Sequence, residues 1–182
     1  MFGEILTTSE VDYCRAACDE LRGVPWVAPL LARLDGERWN YQTKPLLFEL
    51  RVAAEIHRAG LTARYEYPTG IGSSSVDFQF EHEGHEWLVE LVSILVSDAV
   101  KAATWDDGVR FGTTLSPDAA DPRQSPGAEL ILAQQKIGEK VWDGDTWVKF
   151  PAPTPARYHL ILADMRGWVP ESPSVCCLEP SR

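Results

Sequence analysis

The sequence predicts an α+β fold, and three observations carry that prediction. Apolar residues recur at helical spacing over the first sixty positions. From Thr62 to Val96 the pattern changes to strand-like alternation broken by turn residues. One further helical stretch and one short apolar strand then follow, separated by prolines.

The N-terminal segment begins with Thr7-x-x-Glu10, a capping box, and continues with Val11, Cys14, Cys18 and Leu21 on one helical face until Gly23. A shorter helix is expected over Pro25–Leu34, with Gly36 as its stop. A third runs from Pro45, a residue suited to a first helical turn, to Ala59, with Gly60 closing it. Three strands are expected next, over Thr62–Tyr67, Val76–Phe80 and Trp87–Val96, joined by the Gly/Ser loop Thr69–Ser75 and the turn His82-Glu83-Gly84-His85. Regular order is then lost between Ser97 and Gly127, where Asp-Gly and Ser-Pro signals cluster and Trp105, Val109 and Phe111 are the residues able to tack the segment down. Ala128–Trp142 reads as a helix with Leu130, Ala133, Ile137 and Val141 on one face. Pro151, Pro153 and Pro155 make a stiff linker, and Tyr158–Asp164 is a strand. The expected organisation is therefore a helical extension over 1–44, a core over 45–166 with a loop insertion at 97–127, and a Pro-rich, unstructured tail over 167–182.

With 182 residues, 45% hydrophobic and 24% charged, the chain is long enough for one packed core and is not of disordered composition. No apolar run approaches the length of a membrane helix, and no secretory leader is visible at the N-terminus, so a cytoplasmic, reduced setting is expected. The four cysteines lack zinc-knuckle spacing and read as buried or half-buried thiols. A net charge of −10 argues against a protein that coats nucleic acid non-specifically. It leaves room for an enzyme that holds cations between carboxylates and phosphates.

The hairpin turn gives the carboxylates their meaning. With Glu83 and Gly84 at its centre, Phe80 faces Trp87, Phe78 faces Val89 and Val76 faces Leu91, an apolar set that belongs to the core. The opposite face pairs Gln79 with Leu88 and Asp77 with Glu90. Two carboxylates directly across a ladder, about 5 Å apart at Cβ, destabilise a sheet unless a divalent cation or a shared proton offsets them. Glu49 adds a third acid, because it shares the apolar stripe of Leu46, Leu50, Ala53 and Ile56. The competing explanation is a set of surface ion pairs to Arg51 or Arg64.

The ordered set of a helix with Glu49, a strand over Ala63–Tyr67, a strand with Val76-Asp77-Phe78, a strand with Val89-Glu90-Leu91-Val92, a helix with Gln135-Lys136 and a strand over Tyr158–Asp164 resembles the PD-(D/E)XK nuclease superfamily, the restriction-endonuclease-like fold. The resemblance implies that Asp77 and Glu90 hold Mg²⁺ or Mn²⁺, that Glu49 assists, and that the partner is nucleic acid, DNA first. The family's lysine, two positions after the second carboxylate, is Val92 here. The resemblance offers Lys136 or Lys140 as its migrated replacement, against the plainer reading of two solvated lysines. It equally admits a catalytically inactive relative that binds nucleic acid or protein. The His82-Glu83-Gly84-His85 turn is not a helical zinc motif and reads as solvated histidines.

Overall fold

A computed structural model of the chain describes residues 8–37, 39–106, 111–116, 118–144 and 146–165. They fall into two compact units. The first takes the described residues up to Ser93 together with Gln135–Asp164, and the second takes Ile94–Gln134 and Met165. The architecture is mixed α/β with a mixed sheet.

In the first unit, α1 (Thr8–Leu21), α2 (Ala28–Leu34) and α3 (Lys44–Arg58) precede the strands β1 (Ala63–Pro68), β2 (Ser75–His82) and β3 (His85–Ser93). Pro25–Val27 form a 3₁₀ turn ahead of α2, so the second expected helix is split in two. Thr7, half of the expected capping box, lies outside the described residues. Gly60, at φ 73°, ends α3 because only that left-handed backbone lets the chain reverse into β1. Leu47, Leu50, Ala53, Ala54 and Ile56 of α3 pack with Cys14, Ala17 and Leu21 of α1, with Leu30 and Leu34 of α2, and with Ala63, Phe78, Val89 and Leu91 of the sheet. The N-terminal helices thus share one core with α3.

The sheet order is β1-β2-β3-β8, where β8 is Arg157–Asp164. β1, β2 and β3 form an antiparallel meander, and β8 lies parallel to β3 with Glu90 beside Ile161 and Val92 beside Ala163. A parallel partner requires a crossover, which the chain between Ser93 and Arg157 supplies. On the second face of the sheet, Val76 and Leu88 pack with Val141, Phe150, Tyr67 and Ile161.

The hairpin register is the expected one. Glu83 (φ 51°) and Gly84 (φ 76°) make a turn with both central residues left-handed, and Phe80 faces Trp87 while Phe78 faces Val89. The ladder nevertheless ends at Phe78–Val89, so the Asp77–Glu90 and Val76–Leu91 rungs expected from the sequence are not formed. On the β1 side Tyr65 pairs with Phe78 and Tyr67 with Val76, with no Glu66–Asp77 rung between them, and Glu66 sits at φ 51°. Alternation breaks at this level. Val76 leaves the Phe78 face and joins the opposite core, which corrects the expectation that it packs with Phe78 and Phe80.

The second unit contains more structure than the expected loop. Helix α4 (Asp98–Ala102) is capped by the Ser97 hydroxyl, which accepts the Val100 N–H at 3.1 Å. Strands β4 (Thr104–Asp106) and β5 (Phe111–Thr113) pair antiparallel, and Pro122–Gln124 form a 3₁₀ turn. Val109 and the side chain of Phe111 lie outside the described residues. The Ser97 hydroxyl also donates to Oε1 of Glu129, which is buried on α5 (Pro126–Gly138).

Helix α5 ends earlier than the periodicity predicts. Leu130 is 50% exposed, whereas Ala133 is buried, so the expected four-residue stripe does not form. Trp142 is in no helix. It opens a tight hairpin of β6 (Trp142–Asp143) and β7 (Thr146–Trp147). The residues 167–182 lie outside the described residues. No helix among the described residues is long and apolar enough to cross a membrane.

Candidate functional site

The break in alternation at Asp77 creates the site. The backbone N–H of Leu91, freed where the ladder ends, donates to Oδ2 of Asp77 at 2.6 Å. Asp77 is thereby fixed beside β3. Its carboxyl is pushed up to about 7, first by burial and then by the charge of Glu90, while the Leu91 hydrogen bond opposes the rise. Glu49 raises it further and Lys149 lowers it, so these four groups act on one another electrostatically.

Glu90 is the centre of the cluster. Its side chain is 1% exposed, and the strand alternation that places Val89 and Leu91 in the helix-side core turns Glu90 to the other face. Oε1 accepts from Nζ of Lys140 at 2.8 Å and from Nζ of Lys149 at 2.5 Å. Oε2 is buried and has no hydrogen-bond partner among the described residues. A buried carboxylate with one oxygen doubly satisfied and the other bare is an acceptor still open to a donor or a cation.

Glu49 approaches from α3. It accepts the Tyr65 hydroxyl at 2.5 Å, and Arg33 of α2 lies 3.4 Å from the same Oε2. Burial raises its affinity for a proton, with Tyr65 and Arg33 opposing and Glu66 and Glu90 adding to the rise. Arg33 also contacts the Tyr65 hydroxyl and donates to Glu66 at 2.9 Å. Burial, followed by the hydrogen bond to Glu49, drives the Tyr65 phenol well above its usual range, so it stays a donor. The competing explanation, surface ion pairs of Glu49 with Arg51 or Arg64, gives way to this network with Tyr65 and Arg33. Arg51 instead binds Asp164 at 3.1 Å.

Of the two lysines predicted from the sequence, Lys140 reaches the carboxylates, whereas Lys136 is exposed on α5 and makes none of these contacts. Val92 is buried beside Ala163 and contributes no charge. Lys149, Tyr65 and Arg33 are site residues that sequence reasoning missed. A signal for Lys149 existed in Trp142-Asp143-Gly144-Asp145-Thr146-Trp147, a two-residue Gly-Asp turn between matched residues. Tyr65 and Arg33 carry no local signal.

Among the described residues no group of three or more His, Cys, Asp or Glu side chains is arranged to hold a metal ion. The described cysteines are plain thiols, Cys14 buried and pushed up to about 11 by burial, and Cys18 half-buried. Cys176 and Cys177 lie outside the described residues. His82 is exposed, and His85 packs its ring 4.9 Å from that of Tyr158. Comparison with family models, with curated proteins and with solved structures found no match.

Chemically, the cluster sets three carboxyls (Asp77, Glu90 and Glu49) among three cations (Lys140, Lys149 and Arg33). It combines a proton-holding carboxyl near neutrality, an open buried acceptor and two ammonium groups, the parts needed to bind a polyanion and move a proton beside it.

Proposed function

We propose that the first unit is a metal-dependent phosphodiesterase domain of restriction-endonuclease-like architecture, acting on nucleic acid and on DNA first. Asp77 and Glu90 hold Mg²⁺ or Mn²⁺, Glu49 orients water, and Lys140 offsets phosphoryl charge. The observation that carries the reading is the bare Oε2 of Glu90, buried beside Asp77. Mg²⁺ is commonly held by one or two carboxylates, with waters and substrate phosphates completing its shell, so two acids suit it without a three-residue cage. When bound, the ion polarises a phosphoryl oxygen and acidifies a coordinated water. Asp77 would give up its proton on taking the cation, so the loaded site would gain less charge than the ion carries. Tyr65 and Arg33 hold Glu49 in one orientation. The order of α3, the β1–β3 meander, α5 and parallel β8 supports the same reading.

Incubation of the full chain with duplex DNA, single-stranded DNA and RNA at millimolar Mg²⁺ or Mn²⁺ tests it. Cleavage that is abolished by EDTA, by Asp77→Asn and by Glu90→Gln is expected. Failure of the intact protein to cut any of the three with either ion overturns it.

A second reading, a catalytically inactive relative serving as a nucleic-acid- or protein-binding module, is favoured by one specific feature. Oδ2 of Asp77 and Oε1 of Glu90 are already spent on Leu91, Lys140 and Lys149. Binding of DNA without cleavage under those conditions selects it.

A further inference from the structure

We propose that Lys149 forms with Lys140 a paired phosphate-binding group of this site, supplying with two ammoniums the charge that Val92 does not. The inference rests on the nuclease reading and adds a residue to it. Three features of the chain carry it.

The first is register. In the β6–β7 hairpin Trp142 faces Trp147 and Asp143 faces Thr146, and the Val148 N–H donates to the Val141 carbonyl at 3.0 Å. Continuing that register sets Lys140 against Lys149. Like charges placed across a hairpin repel unless an anion lies between them. Here the anion is Glu90, which receives both on one oxygen.

The second is anchoring. The Val148 carbonyl accepts the Ser74 hydroxyl at 2.5 Å, which ties the backbone beside Lys149 to the β1–β2 loop. On its other side Phe150 is buried and stacks on His159 with ring centroids 4.7 Å apart. A lysine held between two fixed neighbours loses less freedom on binding a ligand than one on an open surface.

The third is access. The side chains of Lys140 and Lys149 are 32% and 28% exposed, against 1% for Glu90. Each lysine side chain therefore meets the buried carboxylate with its ammonium while part of its length reaches solvent. Two cations on one anion leave a local net positive charge in an otherwise acidic protein, for which a phosphate is the complementary ligand. With Oε2 of Glu90 unpartnered, the carboxylate retains an oxygen for a cation while the lysines face the phosphate.

The test uses the full chain and a fluorescent DNA duplex. Affinity is measured against NaCl concentration in EDTA, and cleavage is measured in Mg²⁺. Lys149→Met and Lys140→Met should each reduce the slope of log affinity against log salt by about one and slow cleavage by a factor of about 10² to 10³. Lys149→Arg should keep the salt slope. A lysine that only neutralises Glu90 changes the melting temperature and leaves the slope alone. If Lys149→Met does not fold, Glu90→Gln with Lys149→Met is compared with Glu90→Gln alone, which removes the buried charge and preserves the salt-slope comparison. An unchanged slope in a protein that binds and cuts overturns the role of Lys149 and leaves the nuclease reading standing. Absence of both binding and cutting in the intact chain overturns both.

Discussion

The carboxylate of Asp77 accepts the backbone N–H of Leu91 at 2.6 Å, and this one bond replaces a rung of the β2–β3 ladder. Asp77 therefore has a structural task that is separable from any chemistry. Asp77→Ala leaves the Leu91 N–H without its acceptor and should cost about 1–3 kcal/mol. Asp77→Asn retains an acceptor oxygen and removes a charge from a buried acidic cluster, so it should cost less than the alanine variant or stabilise the fold. Urea unfolding of the two variants beside the parent checks the order. Equal loss in both variants contradicts it.

The same residue sets a pH dependence. Its carboxyl is raised from an ordinary 3.8 to about 7. Between those values the folded chain holds a proton that the unfolded chain has released. The stabilisation from this group is complete below about pH 4 and is lost as pH rises through about 7. Asp77→Asn should flatten that part of the stability curve. Denaturation midpoints from pH 4 to 8 measure it, and parallel curves for parent and variant contradict it.

Part of this arrangement was legible in the sequence and part was not. The Glu83-Gly84 turn fixes the hairpin register down to Phe78–Val89, because a two-residue turn leaves no freedom in which residues face. Alternation then fails at Asp77, since a side chain that captures a backbone N–H is not visible in a pattern of apolar and polar positions. The helical stripe over Leu46–Ile56 correctly set Glu49 apart from Arg51 and Arg58. Its actual partners, Tyr65 and Arg33, come from other elements and depend on tertiary packing. Lys149 was hidden because the apparent helical face ran on to Val141 and carried the expected helix to Trp142, which masked the hairpin that brings Lys149 to Glu90.

Tyr65 donates to Glu49 at 2.5 Å while its ring packs 5.6 Å from that of Phe78. Tyr65→Phe keeps the ring contact and removes the hydroxyl that lowers the Glu49 pKa. The Glu49 carboxyl should then titrate at higher pH than in the parent, and stability should fall by about 1–3 kcal/mol for loss of a hydrogen bond to a charged group. Carbon-detected NMR titration of the Glu49 carboxyl follows the first effect. A downward or absent shift contradicts it.

Glu90 and its two lysines respond unequally to substitution. The lysines have a solvent-facing side and can hydrate when their anion is lost, whereas the wholly buried Glu90 cannot reach water. Lys140→Met with Lys149→Met strands a buried charge, a change that typically costs about 3–5 kcal/mol. Glu90→Gln should cost less, because it leaves two lysines free to turn outward. Adding Glu90→Gln to the double-lysine variant should recover much of the loss. Chemical denaturation of the four proteins checks the ranking, and a larger loss from Glu90→Gln alone reverses it.

Divalent cations should stabilise the fold in a manner that depends on pH. A ligand that binds only the native state raises stability with the logarithm of one plus the ratio of its concentration to its dissociation constant, by about 2.7 kcal/mol at a hundred times that constant. The cation competes for the Asp77–Glu90 pair with a proton on Asp77 and with the ammoniums of Lys140 and Lys149. The gain from millimolar Mg²⁺ or Mn²⁺ should therefore be small at pH 6, where Asp77 holds its proton, and larger at pH 8, where it does not. Asp77→Asn should remove the gain at both pH values. Lys149→Met should lower the cation concentration needed, because it withdraws a competing positive charge from Glu90. Melting curves at the two pH values, with and without each ion, give the comparison. A gain equal at pH 6 and 8, or one that survives Asp77→Asn, places any bound cation elsewhere on the chain.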